Sequence, residues 1–159
     1  AFDMFCKQND RNIKLLIVGA RKWWTADMEK TFSGLEHKKD IIFTGRLESN
    51  ELNMALGAAL ALTYISYFEG FGIPILEAFR CDVPVITSNV TSMPEVAGDA
   101  ALLTDPFDPA SVAAAMTKLS SDADLRKKLI DNGRKQLKNF SWDKTAGLLW
   151  QSIEKTLQL

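Results

Sequence analysis

Apolar positions along this chain follow two alternating rhythms, short continuous runs and longer stretches in which they recur every three or four residues. The continuous runs, residues 14–18, 41–44, 60–65, 83–87 and 101–104, are rich in branched side chains, and each predicts a strand. Runs without polar alternation predict strands covered on both faces, which favours a parallel sheet sandwiched between helices over an antiparallel one. Between the runs, Val112, Ala115, Met116 and Leu119 fall at helical spacing, as do Met28, Phe32 and Leu35, and both stripes are expected in the core. Ser92-Met-Pro-Glu95 has the spacing of a capping box, Asp108-Pro109 pairs an N-cap with a first-turn proline, and Ser141 opens the last helix. Trp142 and Trp150 on that helix are expected to be buried. Residues 1–6 read as the tail of a helix with no cap, which predicts one domain over 1–159 that begins inside a βα unit, its first strand absent.

One junction concentrates the chemistry. Glu69-Gly-Phe-Gly-Ile-Pro-Ile-Leu-Glu77 follows the strand candidate 60–65 and leads into a helix, with Pro74 suited to its first turn. A strand, a glycine loop and a helix start make an anion-binding geometry: free backbone N–H groups and the positive end of the helix dipole face the ligand, and Gly70 and Gly72 allow close approach. A carboxylate beside a diphosphate is repelled, so Glu69 and Glu77 are better placed against neutral hydroxyls, which sugars supply. Dipole complementarity for Glu77 and a solvated loop position for Glu69 remain an equally simple reading of these residues alone.

Composition narrows the setting. The chain has 159 residues, 47% of them hydrophobic, enough for one substantial core. Nineteen Lys and Arg against 20 Asp and Glu leave a formal charge of −1, so no global field recruits nucleic acid or anionic lipid. Cys6 and Cys81 suit free thiols in a reducing cytoplasm. No apolar run approaches the roughly 18 residues of a membrane span, and no signal-peptide pattern opens the chain.

From Ser66 to Asp105 the sequence resembles the nucleotide-sugar-binding half of group 1 glycosyltransferases, retaining family 4 enzymes with two Rossmann-like lobes (GT-B). The resemblance rests on Glu69-Gly-Phe-Gly-Ile-Pro-Ile-Leu-Glu-Ala78, Val83-Pro-Val-Ile-Thr-Ser88, Met93-Pro-Glu-Val96 with Gly98-Asp-Ala-Ala101, and Asp105-Pro-Phe-Asp-Pro109. It implies the carboxy-terminal lobe of a GT-B enzyme, with Glu69 as the catalytic carboxylate near the donor sugar and Glu77 on the ribose. By the same likeness, Gly70, Phe71, Gly72 and Ile73 contact sugar hydroxyls and phosphate, and Gly45, Arg46 and Leu47 lie near the nucleobase. The implied activity is metal-independent transfer of a hexosyl group, from GDP-mannose or a UDP-hexose, to a glycan or lipid-linked acceptor in polysaccharide biosynthesis. No cofactor is implied beyond the donor substrate, and the acceptor is bound by an amino-terminal lobe outside these residues, so 1–159 alone should bind nucleotide weakly and transfer nothing. The implied location is cytoplasmic, with any membrane contact peripheral to the inner face. The sequence departs from the family in having Ile65 where many relatives have proline, and in lacking the Arg and Lys that neutralise the diphosphate; Arg46, Arg21 and Lys22 approach the same rim but read more simply as surface residues.

Other signals carry less. Asp122-Ala-Asp124 reads as a helix cap rather than a metal site, and His37, the only histidine, has no metal-ligand spacing. Arg126, Lys127, Lys128, Arg134, Lys135 and Lys138 read as the solvated face of a helix whose buried stripe is Leu125, Leu129, Ile130 and Leu137. Trp23-Trp24, at a strand's carboxyl end, is a candidate sugar-stacking pair. A non-enzymatic ligand-binding α/β module is the alternative class; a receiver domain would need aspartates at the strand ends that this chain lacks.

Overall fold

The computed structural model of the protein describes residues 1–9, 12–22 and 24–157. Its strands coincide with the apolar runs: β1 (Leu15–Val18), β2 (Ile41–Gly45), β3 (Leu62–Tyr64), β4 (Val85–Ser88) and β5 (Ala101–Thr104). The helices are α1 (Phe2–Lys7), α2 (Ala26–Ser33), α3 (Ser49–Gly57), α4 (Ile73–Arg80), α5 (Met93–Ala97), α6 (Pro109–Ser121), α7 (Ala123–Leu137) and α8 (Trp142–Leu157). All three strand pairings are parallel, as runs buried on both faces require. The fold is therefore α/β, with helices joining successive parallel strands.

The strands form two sheets, β1-β2 and β3-β4-β5, rather than one continuous surface. In β4, the central strand of the larger sheet, all four residues are buried. Its alternating side chains feed separate cores: Val85 joins Ile75, Ala78 and Phe79 of α4 and Met93 and Val96 of α5, while Ile86 joins Ala115 and Leu119 of α6 and Leu129 of α7. Between β1 and β3 runs an apolar groove of about 1170 Å³, walled by Leu16 and Val18 on one side and Leu62 and Tyr64 on the other. The facing edges of β1 and β3 have no strand between them among the described residues.

Helix α7 is fixed by close approach. A Cβ at Gly133 would lie 2.8 Å from the Phe79 ring, so the α4–α7 crossing needs glycine there. The Arg134 guanidinium grips Asp82 through two bonds of 2.7 and 2.8 Å, and the Gln136 amide donates to the carbonyls of Glu95 and Val96. Arg126 turns inward to the Leu119 carbonyl at 2.5 Å, so the basic face of α7 is partly engaged in holding the fold. Asp122 caps α7 by accepting from the Leu125 amide, and Asp108 caps α6 by accepting from Ala110.

Several expectations are corrected. Ser92 makes no cap bond, because its hydroxyl is drawn to the loop after β3. Met28 is 50% exposed: Phe43 of β2 and Trp24, in the loop before α2, take up Phe32 and leave Met28 outside. Trp142 and Trp150 are 81% and 60% exposed, since α8 buries none of its described residues and its apolar stripe faces solvent. Trp23 lies outside the described residues. Cys6 and Cys81 are free thiols, both half-buried.

Two outcomes are expected. Gly133→Ala should lower stability in chemical denaturation by about 1–3 kcal/mol, whereas Gly147→Ala, whose Cβ would meet nothing, should not. Asp3, Asp40 and Asp82 are held below the ordinary carboxyl value of 3.8, chiefly by the His37 backbone N–H, the Lys14 ammonium and the Arg134 guanidinium. A carboxyl depressed in the folded state stabilises it above the unfolded pKa and loses that contribution as pH falls through the folded one. Melting temperature should therefore decline as pH drops through 3.8 and below, and Asp82→Asn should blunt part of that decline.

Candidate functional site at the β3–α4 junction

Strand β3 ends at Tyr64, and the chain reaches α4 through a loop whose last residue, Gly72, caps the helix with φ +112°. That conformation is open to glycine and costly for other residues. A Cβ there would also lie 2.8 Å from the Met93 methyl and 3.3 Å from Ile75. Gly70 differs: its φ is not positive and a Cβ would meet nothing within 4 Å, so its bareness keeps open space beside Glu69. Helix α4 begins at Ile73, so Pro74 is its second residue and Glu77 stands at the start of the second turn, leaning back toward the loop.

Three carbonyls of the loop are turned inward. The Ser92 hydroxyl shares its proton between the carbonyls of Glu69 (3.1 Å) and Phe71 (2.9 Å), and the Gly72 carbonyl accepts from the Ile75 amide at 3.0 Å. The N–H groups of Gly70, Phe71, Gly72 and Ile73 accordingly have no protein acceptor among the described residues. Four consecutive unpaired amides at a helix start are an anion cradle.

Glu69 is half-buried and oriented. Its Oε1 accepts from the Tyr64 hydroxyl at 2.6 Å and from the Ser66 hydroxyl at 3.1 Å, leaving Oε2 without a protein donor among the described residues. The supports of those donors are themselves fixed by β4: buried Thr87 donates to the Tyr64 carbonyl at 2.8 Å and buried Ser88 to that of Ser66 at 2.5 Å. The Tyr64 phenol is pushed above its ordinary value of 10.0, first by burial and then by its bond to Glu69, with the charges of Glu69 and Glu77 adding to both. Glu69 is thus bound to the phenol, and Glu77 is near enough to act on it through its charge. Glu77 is half-buried and lines the groove with Tyr64 and Pro74.

The remaining candidates are arranged differently. Phe71 packs edge-on against Phe140 at 5.7 Å, with its ring 42% exposed. Gly45 (φ +71°) ends β2 and accepts from the Gly19 amide at 2.8 Å; with exposed Arg46 and half-buried Leu47 it belongs to the other sheet, across the groove from Glu69. Arg21 stacks on Phe43, 3.6 Å from the ring centroid, and on Trp24 at 4.8 Å, while Lys22 and Arg46 are exposed. Tyr64, Thr87, Ser88 and the loop-holding role of Ser92 were not marked by the motif. A pair of hydroxyl residues ending an otherwise apolar, fully buried strand is the signal that points to them. Among the described residues, no three His, Cys, Asp or Glu side chains cluster to hold a metal.

Residues 1–136 match the sequence model of the family described as glycosyl transferases group 1. The O-antigen chain mannosyltransferase B of Escherichia coli is 34% identical over 143 residues, which are 90% of this chain and 38% of that protein. The chain thus spans well under half the length of that relative. The C-terminal domain of a group 1 family glycosyl transferase from Francisella tularensis superimposes with a TM-score of 0.72 at 25% identity, over 87% of this chain and 76% of that one. Anabaena HepE, solved in complex with UDP and glucose, shares the fold with a TM-score of 0.77 at 17% identity, over 99% of this chain and 44% of its own.

Gly72→Ala should destabilise the protein by at least about 2 kcal/mol, from the left-handed backbone and the Met93 contact together. Gly70→Ala should stay within about 0.5 kcal/mol of the parent. Urea denaturation of the two variants measures the difference.

Proposed function

Because the chain belongs to the group 1 glycosyltransferases, we propose that residues 1–159 form the donor-binding half of an enzyme that transfers a hexosyl group, mannosyl for preference, from a nucleoside diphosphate. The observation that carries this reading is the pairing of the outward amides of Gly70 to Ile73 with an oriented carboxylate, Glu69, in one loop. The mannosyltransferase named above supports the sugar, and HepE, with UDP and glucose bound, supports the donor class.

Breaking the bond between sugar and diphosphate develops positive charge at the anomeric carbon and negative charge on the leaving phosphate. The amide cradle and the α4 dipole stabilise the phosphate, being aimed before the reaction begins. The free Oε2 of Glu69 faces the sugar, where a fixed carboxylate favours an oxocarbenium-like centre or orients a hydroxyl. Glu77 accepts from the ribose diol, and Gly45, Arg46 and Leu47 approach the base from the other sheet. Transfer proceeds with retention and without a metal. In the whole protein a sixth parallel strand occupies the groove and joins the two sheets, and a separate lobe supplies the glycan or lipid-linked acceptor. The enzyme works in the cytoplasm, at most peripherally at the membrane; among the described residues no helix is long and apolar enough to cross one.

Titration of this chain with GDP, UDP and ADP, followed by backbone amide shifts, should move Gly70 and Gly72 first and rank the bases. In the full-length protein Glu77→Ala should weaken nucleotide binding by about 1–3 kcal/mol, because a buried diol loses its acceptor. Calorimetry returning the parent affinity would remove Glu77 from the site.

A further inference from the structure

We infer that Tyr64 is a positioning residue for Glu69, holding one carboxylate oxygen so that the other is presented to the donor sugar. The inference rests on the proposed role of Glu69 and extends it to a residue that the glutamate-glycine motif does not contain.

The geometry has three parts. The O–H···O distance of 2.6 Å is that of a charge-assisted bond, shorter than the 3.1 Å made by Ser66 to the same oxygen, so the phenol is the principal anchor. The phenol is itself immobile: the Tyr64 ring packs against the α4 cluster around Ile75, Ala78 and Phe79, and its backbone carbonyl is tied to Thr87 of β4. The anchor is also one-sided. Both donors reach Oε1 and neither reaches Oε2, so they fix the direction of the free lone pairs instead of using them. A carboxylate on a mobile loop would spend most of its time in other rotamers, and a near-attack geometry lost by an ångström is costly.

The neighbourhood offers Glu69 few other partners. The groups facing the pair are Glu77 from α4, which adds negative charge, and the hydroxyl of Ser66 from the loop, with Tyr64 itself from β3. The described ion pairs include no cation bound to Glu69 or Glu77. The phenol thus supplies the shortest hydrogen bond that Glu69 accepts, and no described ion pair stands in for it.

The test uses the full-length enzyme and a carbon-13 label at the Glu69 carboxyl, read by isotope-edited infrared spectroscopy at one fixed pH. Tyr64→Phe keeps the ring and removes one oxygen. It should lower kcat roughly tenfold with little change in donor KM, and shift the Glu69 carboxylate stretching band, because the carboxylate loses its shortest hydrogen bond. Glu69→Gln should abolish the effect of Tyr64→Phe in the double variant, since the tyrosine acts through the carboxylate. Ser66→Ala should show the same signature in weaker form. A tyrosine that merely braced the loop would lower the melting temperature and leave the band where it was, and that result overturns the inference. So does a band that shifts while kcat stays at the parent value, or a double variant in which the two losses add in full. If Glu69→Gln alone leaves turnover unchanged, the role of Glu69 fails instead, and the infrared band still reports whether the two side chains are coupled.

Discussion

The left-handed bend at Gly72 is the constraint on which the rest of the site depends. Its φ of +112° turns the chain from the loop into α4, and Met93 of α5 fills the space in which any Cβ would sit. Met93 in turn lies in the core beside Ile75 and Phe79, and its neighbour Ser92 holds the carbonyls of Glu69 and Phe71. The connection after β3 and the connection after β4 are therefore one mechanical unit. With the carbonyls of Glu69, Phe71 and Gly72 drawn inward to Ser92 and Ile75, the N–H groups of Gly70, Gly72 and Ile73, on the opposite side of the same peptide planes, are turned away from them. An anion cradle results from satisfying one set of polar groups and leaving the other to a ligand.

The junction divides its charge by position. Partial positive charge gathers on the amides at the α4 end, while Glu69 accepts from the Tyr64 phenol and Glu77 lines the groove with it. A helix terminus offers the equivalent of about half an elementary charge, less than a pyrophosphate carries. Arg21, the cation closest to suitable by sequence, has its guanidinium stacked over Phe43 and Trp24. A diphosphate bound as proposed would thus be oriented by the cradle and only partly neutralised by it. The chain spans 38% of the length of its mannosyltransferase relative, so most of a whole protein of that length lies outside these residues.

What the sequence disclosed follows from how local each cause is. Parallel strands were legible because burial on both faces leaves continuous apolar runs, and the β4 run 83–87 proved the most buried. The glycine at position 72 was legible because a helix start with φ above zero demands glycine in one place. Tyr64, Thr87, Ser88 and Ser92 were not, because a hydroxyl takes its meaning from the carbonyl or carboxylate that tertiary packing brings to it. Ser92 shows the difficulty: four residues spell a capping box, yet the Ser92 backbone is helical and its hydroxyl is turned to donate to two carbonyls of a distant loop instead of accepting from the helix amides. Trp142 and Trp150 fail for another reason. An amphipathic stripe says that a helix face is apolar without saying where its partner is, and α8 has none among the described residues.

The open edges of β1 and β3 bear on the chemistry as well as the fold. Unpaired strand edges facing one another across an apolar groove favour insertion of another strand, which satisfies both ladders at once. The groove is lined by Tyr64, Pro74 and Glu77, which border the proposed donor site. A strand entering it packs directly against the phenol that orients Glu69 and against the carboxylate assigned to the ribose. Completion of the sheet and ordering of the site are then coupled through the same three residues. With the groove open, the Glu69 anchor rests on the α4 cluster and the β4 hydroxyls, so a strand seated there would brace the proposed site by the same packing that joins the two sheets.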